Sequence, residues 1–216
     1  MDNLRLEGIL TYQEDFSLSP AILLCAPHPS LGGDMDNNII MSLAQVSAQR
    51  GFLSLRFNYR GVGNSESYEN NSAQKYQYWE KSLCGGDYTD AVRDAQAALD
   101  FLISQIGRDS IFIAGYSFGA IIGIKVGWEN NHTKAFASIS TPFGWYNLDF
   151  LQYCKKGKLF LYNENDFATT TEETLRSFSK VSAPKILELV QGTDHFYRGY
   201  EEYVSQKICN FFHAYP

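Results

Sequence analysis

Ser110-Ile111-Phe112-Ile113-Ala114-Gly115-Tyr116-Ser117-Phe118-Gly119-Ala120-Ile121-Ile122 is the stretch whose reading decides the fold. Its first half is a short apolar run rich in β-branched and aromatic residues, the pattern of a buried strand. The run stops at Gly115-Tyr116-Ser117-Phe118-Gly119, and a second apolar segment of helical character starts at Ala120. Strand, sharp turn and helix therefore follow one another, with a serine at the apex. Glycines at both flanks keep side chains out of a crowded bend, and a serine in such a turn presents its hydroxyl above the sheet edge. The amide that follows it, on Phe118, lies at a helix N-terminus, where negative charge is favoured. Gly-x-Ser-x-Gly alone is weak, since roughly one chain of this size in ten carries it by chance. A plain glycine-rich turn is the competing account. The flanking strand and helix favour a nucleophile.

Outward from that stretch the chain alternates. Apolar runs at residues 21–26, 52–57, 134–140, 158–162 and 185–190 read as further strands, continuous enough to be buried on both faces as in a parallel sheet. Helical periodicity covers about 37–50, 87–106, 171–180 and 200–213, the first opened by Asp36 or Asn37 as cap and closed by Gly51. Residues 4–18 read as an N-terminal antiparallel hairpin, and 66–86 as the least regular part, with Tyr68, Tyr76, Tyr78 and Trp79 among polar residues ahead of Gly85-Gly86. The fold class is α/β: a mostly parallel sheet with helices on both faces, in a single domain spanning 1–216.

The composition excludes several functions. A net charge of −6 and a pI near 5.2 argue against a nucleic-acid or anionic-membrane partner. No apolar run approaches membrane-spanning length and the first residues lack a signal-peptide pattern, so a cytoplasmic location is expected. The four cysteines, Cys25, Cys84, Cys154 and Cys209, form no Cys-x-x-Cys pair and fit a reducing compartment. Gly61-Val62-Gly63 fails the dinucleotide fingerprint because Glu66 stands where its third glycine belongs. With no Walker A, His-Glu-x-x-His or EF-hand loop either, neither metal nor organic cofactor is expected.

Ligands of such sheets sit beyond the carboxyl ends of the strands. Ser117 follows one strand, Asp166 a later one and His195 the last, in the chain order nucleophile, acid, base. Of the four histidines, His28 lies between prolines and reads as structural, while His132 and His213 fall near helix ends. Asp149, after the preceding strand, competes with Asp166 for the acid; Glu164 is a weaker candidate. Asp194 adjoins His195, and chain neighbours rarely face one another. Phe143, Trp145 and Tyr146 follow a strand end and either line an acyl pocket or simply pack. The aromatics of 66–86, beside the strand end, suggest a lid.

Four stretches together carry a family resemblance: Pro27-His28-Pro29-Ser30-Leu31-Gly32-Gly33, Arg56 through Ser65, Gly115 through Gly119, and Gly192-Thr193-Asp194-His195-Phe196. The chain resembles the α/β-hydrolase superfamily over nearly its whole length, and within it the small, cap-less, dienelactone-hydrolase-like serine hydrolases. It departs from dienelactone hydrolase in having serine rather than cysteine as the nucleophile. The resemblance implies a Ser117–His195–Asp166 triad cleaving a small-molecule ester or thioester through an acyl-enzyme. It also implies an oxyanion hole of backbone amides, Phe118 and a second in the turn after the first central strand, Ser30 with Leu31 as runner-up. Leu31, Phe143 and Trp145 would then line the substrate site. The rival from another class is a catalytically silent scaffold that binds a ligand or partner. Acyl length, leaving group and oligomeric state have no signature in the sequence.

Overall fold

The computed structural model describes residues 3–13, 19–106 and 110–215. Among these, seven strands form one sheet: β1 (Gly8–Thr11), β2 (Ala21–Cys25), β3 (Leu53–Phe57), β4 (Ile111–Tyr116), β5 (Thr133–Ile139), β6 (Gly157–Tyr162) and β7 (Lys185–Leu189), in the spatial order β1-β3-β2-β4-β5-β6-β7. All neighbours run parallel except β1 and β3. An antiparallel pair is present at the N-terminal end of the sheet, where β1 takes β3 as a partner with Leu10 opposite Leu55. Part of the expected 4–18 hairpin, 14–18, lies outside the described residues.

The described residues also form six α-helices, the first five between strands and the last after β7: α1 (Asn38–Gln49), α2 (Ser72–Glu80), α3 (Thr89–Ile106), α4 (Phe118–Gly127), α5 (Thr171–Lys180) and α6 (Glu201–His213). Alternation along β4 assigns the two faces. Phe112 stacks on Phe212 of α6 at 4.6 Å, whereas a side chain at Gly123 or Gly127 of α4 would strike Ile113 at 2.8 Å. Side chains of successive strand residues point to opposite faces, so α6 and α4 cover opposite sides of the sheet. Helix α4 is buried along nearly its whole length and apolar all round, as a helix sunk in the core must be. Helix α5 is opened by a capping box between Thr170 and Glu173 and buries little besides Thr174.

Residues 66–86 differ from the sequence expectation. They contain α2, capped by the Asn71 side chain accepting from the Gln74 amide at 3.0 Å, and a short 3-10 turn at Leu83–Gly85. Trp79 is the buried residue of α2. Its indole donates to the Arg60 carbonyl at 3.1 Å and packs on Tyr59, ring centres 5.6 Å apart. The segment is thus fastened into the core at Trp79 and at buried Ser82, while Tyr76 stays exposed.

The strand order reverses at β2, with β3 on one side and β4 on the other. The crevice beyond the carboxyl ends of β2 and β4 is where a sheet of this kind takes a ligand.

Candidate active site

The chain leaves β4 through Gly115 and turns at Ser117, whose φ of 55° and ψ of −118° are sparsely populated for a residue with a Cβ. Such strain costs on the order of 1–3 kcal/mol and persists only when the surroundings hold it. Here the Ser117 amide donates to the Ile139 carbonyl at 2.8 Å, and helix α4 begins at once. The flanking glycines are required by close approach. A Cβ on Gly115 would lie 2.1 Å from the Gly119 carbonyl oxygen, and one on Gly119 would lie 2.1 Å from that of Cys25. Phe118 is the first residue of α4, so its N–H has no partner within the helix.

Beyond β6 and β7 the two following loops are tied by a parallel bridge, Asn165 to Asp194. That bridge sets the next residue of each loop side by side: Asp166 Oδ1 lies 2.8 Å from His195 Nδ1. The pair is buried, with side-chain exposures of 2% and 6%. Oδ1 also accepts from the Ala168 amide at 2.9 Å, and Oδ2 from Asn163 Nδ2 at 3.1 Å. Asn163 in turn donates to Ser140 Oγ at 3.0 Å, and Ser140 Oγ lies 2.9 Å from the Tyr197 hydroxyl. Ser140 and Tyr197 both have left-handed φ, 46° and 51°. Burial alone raises the Asp166 carboxyl; the hydrogen bond and charge of His195, with the bonds from Ser140 and Ala168, outweigh it and hold the group below its ordinary value. With Nδ1–H donating to the carboxylate, Nε2 is the basic nitrogen of the His195 ring.

Tyr116 connects this pair to the serine. Its hydroxyl donates to the His195 carbonyl at 2.7 Å, its ring centre lies 5.5 Å from the imidazole, and its chain neighbour is Ser117. Asp149 stands apart. It starts a 3-10 turn, is 63% exposed, and has Lys180 at 3.9 Å. It helps line a different groove of about 380 Å³ with Phe143, Tyr146 and Arg176.

His28 is buried, and its two ring nitrogens serve two segments. Nδ1 accepts from the Ser30 amide at 3.1 Å, so Nε2 carries the proton toward Ser82 Oγ at 2.9 Å, and Ser82 Oγ donates to the Trp79 carbonyl at 2.7 Å. Burial lowers its pKa from 6.5 to about 4, consistent with a neutral ring. The ring meets Phe118 edge-on at 4.6 Å. The Ser30 amide, expected as the second oxyanion donor, caps the turn here by donating to His28. The Leu31 amide closes on the His28 carbonyl at 3.0 Å, and its side chain is exposed.

Two of the residues expected to line the substrate site, Phe143 and Trp145, pack against neighbouring segments. Phe143 is buried against Phe160 at 5.5 Å, and Trp145 is half-buried, with its carbonyl against Gly85. The rings that surround His195 are instead Phe167 at 4.3 Å, Phe196 at 5.8 Å and Tyr116. Sequence reasoning passed over Phe167 and Phe196. The available signal was position alone, each following a residue assigned to the chemistry.

Among the described residues no helix is long and apolar enough to cross a membrane. Residues 32–192 match the family described as serine aminopeptidase, S33. An uncharacterized protein of Rickettsia prowazekii (strain Madrid E) is 27% identical over 202 residues, covering 89% of this chain and 78% of that protein. The structure of an α/β serine hydrolase homologue from Coxiella burnetii superimposes with a TM-score of 0.79 at 23% identity, covering 97% of both chains. A putative α/β hydrolase of unknown function from Agrobacterium tumefaciens gives 0.78 at 27% identity, covering 97% of this chain and 90% of that one. A Xanthomonas campestris protein described as an α/β serine hydrolase without lid gives 0.79 at 19% identity, over 97% and 88%. The strand-to-helix turn at Ser117, the sheet order and the family match agree, and the chain belongs to the serine aminopeptidase (S33) family of the α/β-hydrolase superfamily.

Proposed function

We propose that the protein is a serine hydrolase of small carboxylic esters or thioesters, with Ser117 as nucleophile, His195 as base and Asp166 as the orienting acid. The observation that carries it is the buried 2.8 Å Asp166–His195 pair, tied through Tyr116 to a serine at a strained strand-to-helix turn. Ser117 Oγ attacks the carbonyl carbon while His195 Nε2 takes its proton. Asp166 keeps the imidazole in the tautomer that leaves Nε2 basic and stabilises the imidazolium that forms. The Phe118 amide and the N-terminus of α4 support the developing oxyanion. The imidazolium then protonates the leaving group, and water repeats the sequence on the acyl-enzyme. The β2–α1 turn, ordered by His28, forms the opposite wall with Leu31 at its tip.

Labelling with a fluorophosphonate, followed by a panel of p-nitrophenyl esters of increasing acyl length beside aminoacyl anilides, tests this reading. Wild type is expected to label and to turn over esters. Ser117→Ala is expected to lose labelling, and at least on the order of 10³-fold in turnover, with an unchanged circular dichroism spectrum. Labelling that survives the substitution, or never occurs in wild type, selects the silent scaffold. Turnover confined to the anilides selects a peptidase.

A further inference from the structure

We infer that this site selects its substrate by the leaving group, and that the preferred leaving group is an alcohol carrying an aromatic ring. The inference rests on the triad reading above and adds the substrate class to it. In acylation the Ser117 Oγ–carbonyl carbon bond forms and the carbon–oxygen bond to the alcohol breaks. The departing oxygen takes the proton that His195 Nε2 received from Ser117 and leaves as a neutral alcohol. Water then attacks the acyl carbon, gives one proton to His195, and releases the acid as Ser117 regains its hydrogen. Ester and water thus become acid and alcohol, with no other reactant. The leaving oxygen must come within hydrogen-bond reach of Nε2, so side chains flanking the imidazole border the alcohol rather than the acyl chain.

Those side chains are aromatic. Phe167 lies 4.3 Å from the imidazole centre, Phe196 5.8 Å from it, and the two phenyl rings 6.0 Å from one another. Both are exposed, 59% and 46%, although the neighbouring His195 is buried. Their backbones are held by the contacts that shape the site: the Ala168 amide on Asp166 Oδ1, and the Phe196 amide on Asp194 Oδ1 at 2.9 Å. The Arg198 guanidinium lies 5.2 Å from the Phe196 ring centre and steadies it. Two exposed phenyl rings beside a base match a flat apolar group that offers offset or edge-to-face contacts. The aromatic residues expected on the acyl side, Phe143 and Trp145, are engaged in packing instead.

Two matched ester series separate alcohol from acyl preference. One holds the acetyl group and varies the alcohol through ethyl, cyclohexylmethyl and benzyl. The other holds ethyl and varies the acid through acetate, cyclohexylacetate and phenylacetate. In wild type, kcat/KM is expected to rise roughly tenfold or more from ethyl to benzyl acetate, and to change far less across the acyl series. Phe167→Ala and Phe196→Ala are each expected to reduce the benzyl-to-ethyl ratio by roughly fivefold to tenfold. Phe167→Leu, which keeps apolar volume without the ring, serves if the alanine variant does not fold, and is expected to erode the benzyl preference more than the cyclohexylmethyl one. A preference that follows the acyl series, or a benzyl ratio indifferent to all three substitutions, overturns the inference. Fluorophosphonate labelling of wild type tells the two failures apart. Labelling without alcohol selectivity sinks this inference alone, and absence of labelling sinks the triad reading with it.

Discussion

At Asp166 two opposing effects meet in one carboxylate. Burial pushes its pKa up, and the imidazole with the bonds from Ser140 and Ala168 pulls it down harder, so the group stays ionised where an isolated buried carboxyl would not. Ionisation is what the proposed chemistry needs, because a neutral group there would accept less well from His195 Nδ1. Asp166→Asn is expected to lower kcat/KM on p-nitrophenyl acetate by on the order of 10⁴, since the amide favours the wrong imidazole tautomer. Asp149→Asn is expected to stay within a few-fold of wild type, because that side chain is exposed and its ion pair with Lys180 is long, at 3.9 Å. The reverse ranking would move the acid to the earlier strand end. Ser140 and Tyr197 belong to the same local economy: each holds a left-handed φ, and the two hydroxyls lie 2.9 Å apart beside Asn163, the donor to Asp166 Oδ2.

Among the elements, α2 is the one the sequence pattern showed least, lying in the stretch read as least regular. Its polar residues give no helical apolar stripe, and Trp79 alone is sunk among Tyr59, His28 and Tyr78. Its following turn is held at Ser82, which bonds His28 and the Trp79 carbonyl and whose own carbonyl accepts from the Tyr146 hydroxyl at 2.7 Å. The segment is thus anchored at Trp79 and Ser82, while Tyr76 on its other side stays exposed. Trp79→Ala is expected to cost about 3–5 kcal/mol, seen as a fall of roughly 10 °C in Tm, whereas Tyr76→Ala is expected to stay within about 0.5 kcal/mol. Thermal melts followed by circular dichroism check both. Equal melting temperatures for the two variants would mean that α2 hangs free of the core.

Across the whole molecule, acid sensitivity follows from a histidine buried as the neutral ring. His28 titrates near 6.5 when unfolded and is lowered to about 4 in the fold, so between these values the unfolded chain binds the extra proton. Stability from this group is therefore complete above about pH 6.5 and declines as the pH falls toward 4, by roughly 3 kcal/mol in all. The lowered Asp166 carboxyl acts in the same direction at lower pH, contributing above its unfolded value of 3.8 and losing that contribution as acid protonates it in the fold. Urea unfolding from pH 7 to 4 is expected to show a steeper loss in wild type than in His28→Asn, and parallel curves would count against a neutral buried ring. The same molecule-wide view separates what was legible in the sequence from what was not. Strands at 111–116 and 157–162, helix 171–180 and the turn at Ser117 were readable because apolar periodicity records burial and glycine spacing records close approach. The order Ser117, Asp166, His195 was readable because strand ends of a parallel sheet share one edge. Which carboxylate reaches His195 was decided only by the bridge from Asn165 to Asp194, a contact between residues distant in sequence. The partner of β1, the direction of the Ser30 amide and the burial of Trp79 were settled in the same way. Local pattern says how deeply a residue is buried, while its partner and direction depend on the backbone that another part of the chain brings beside it.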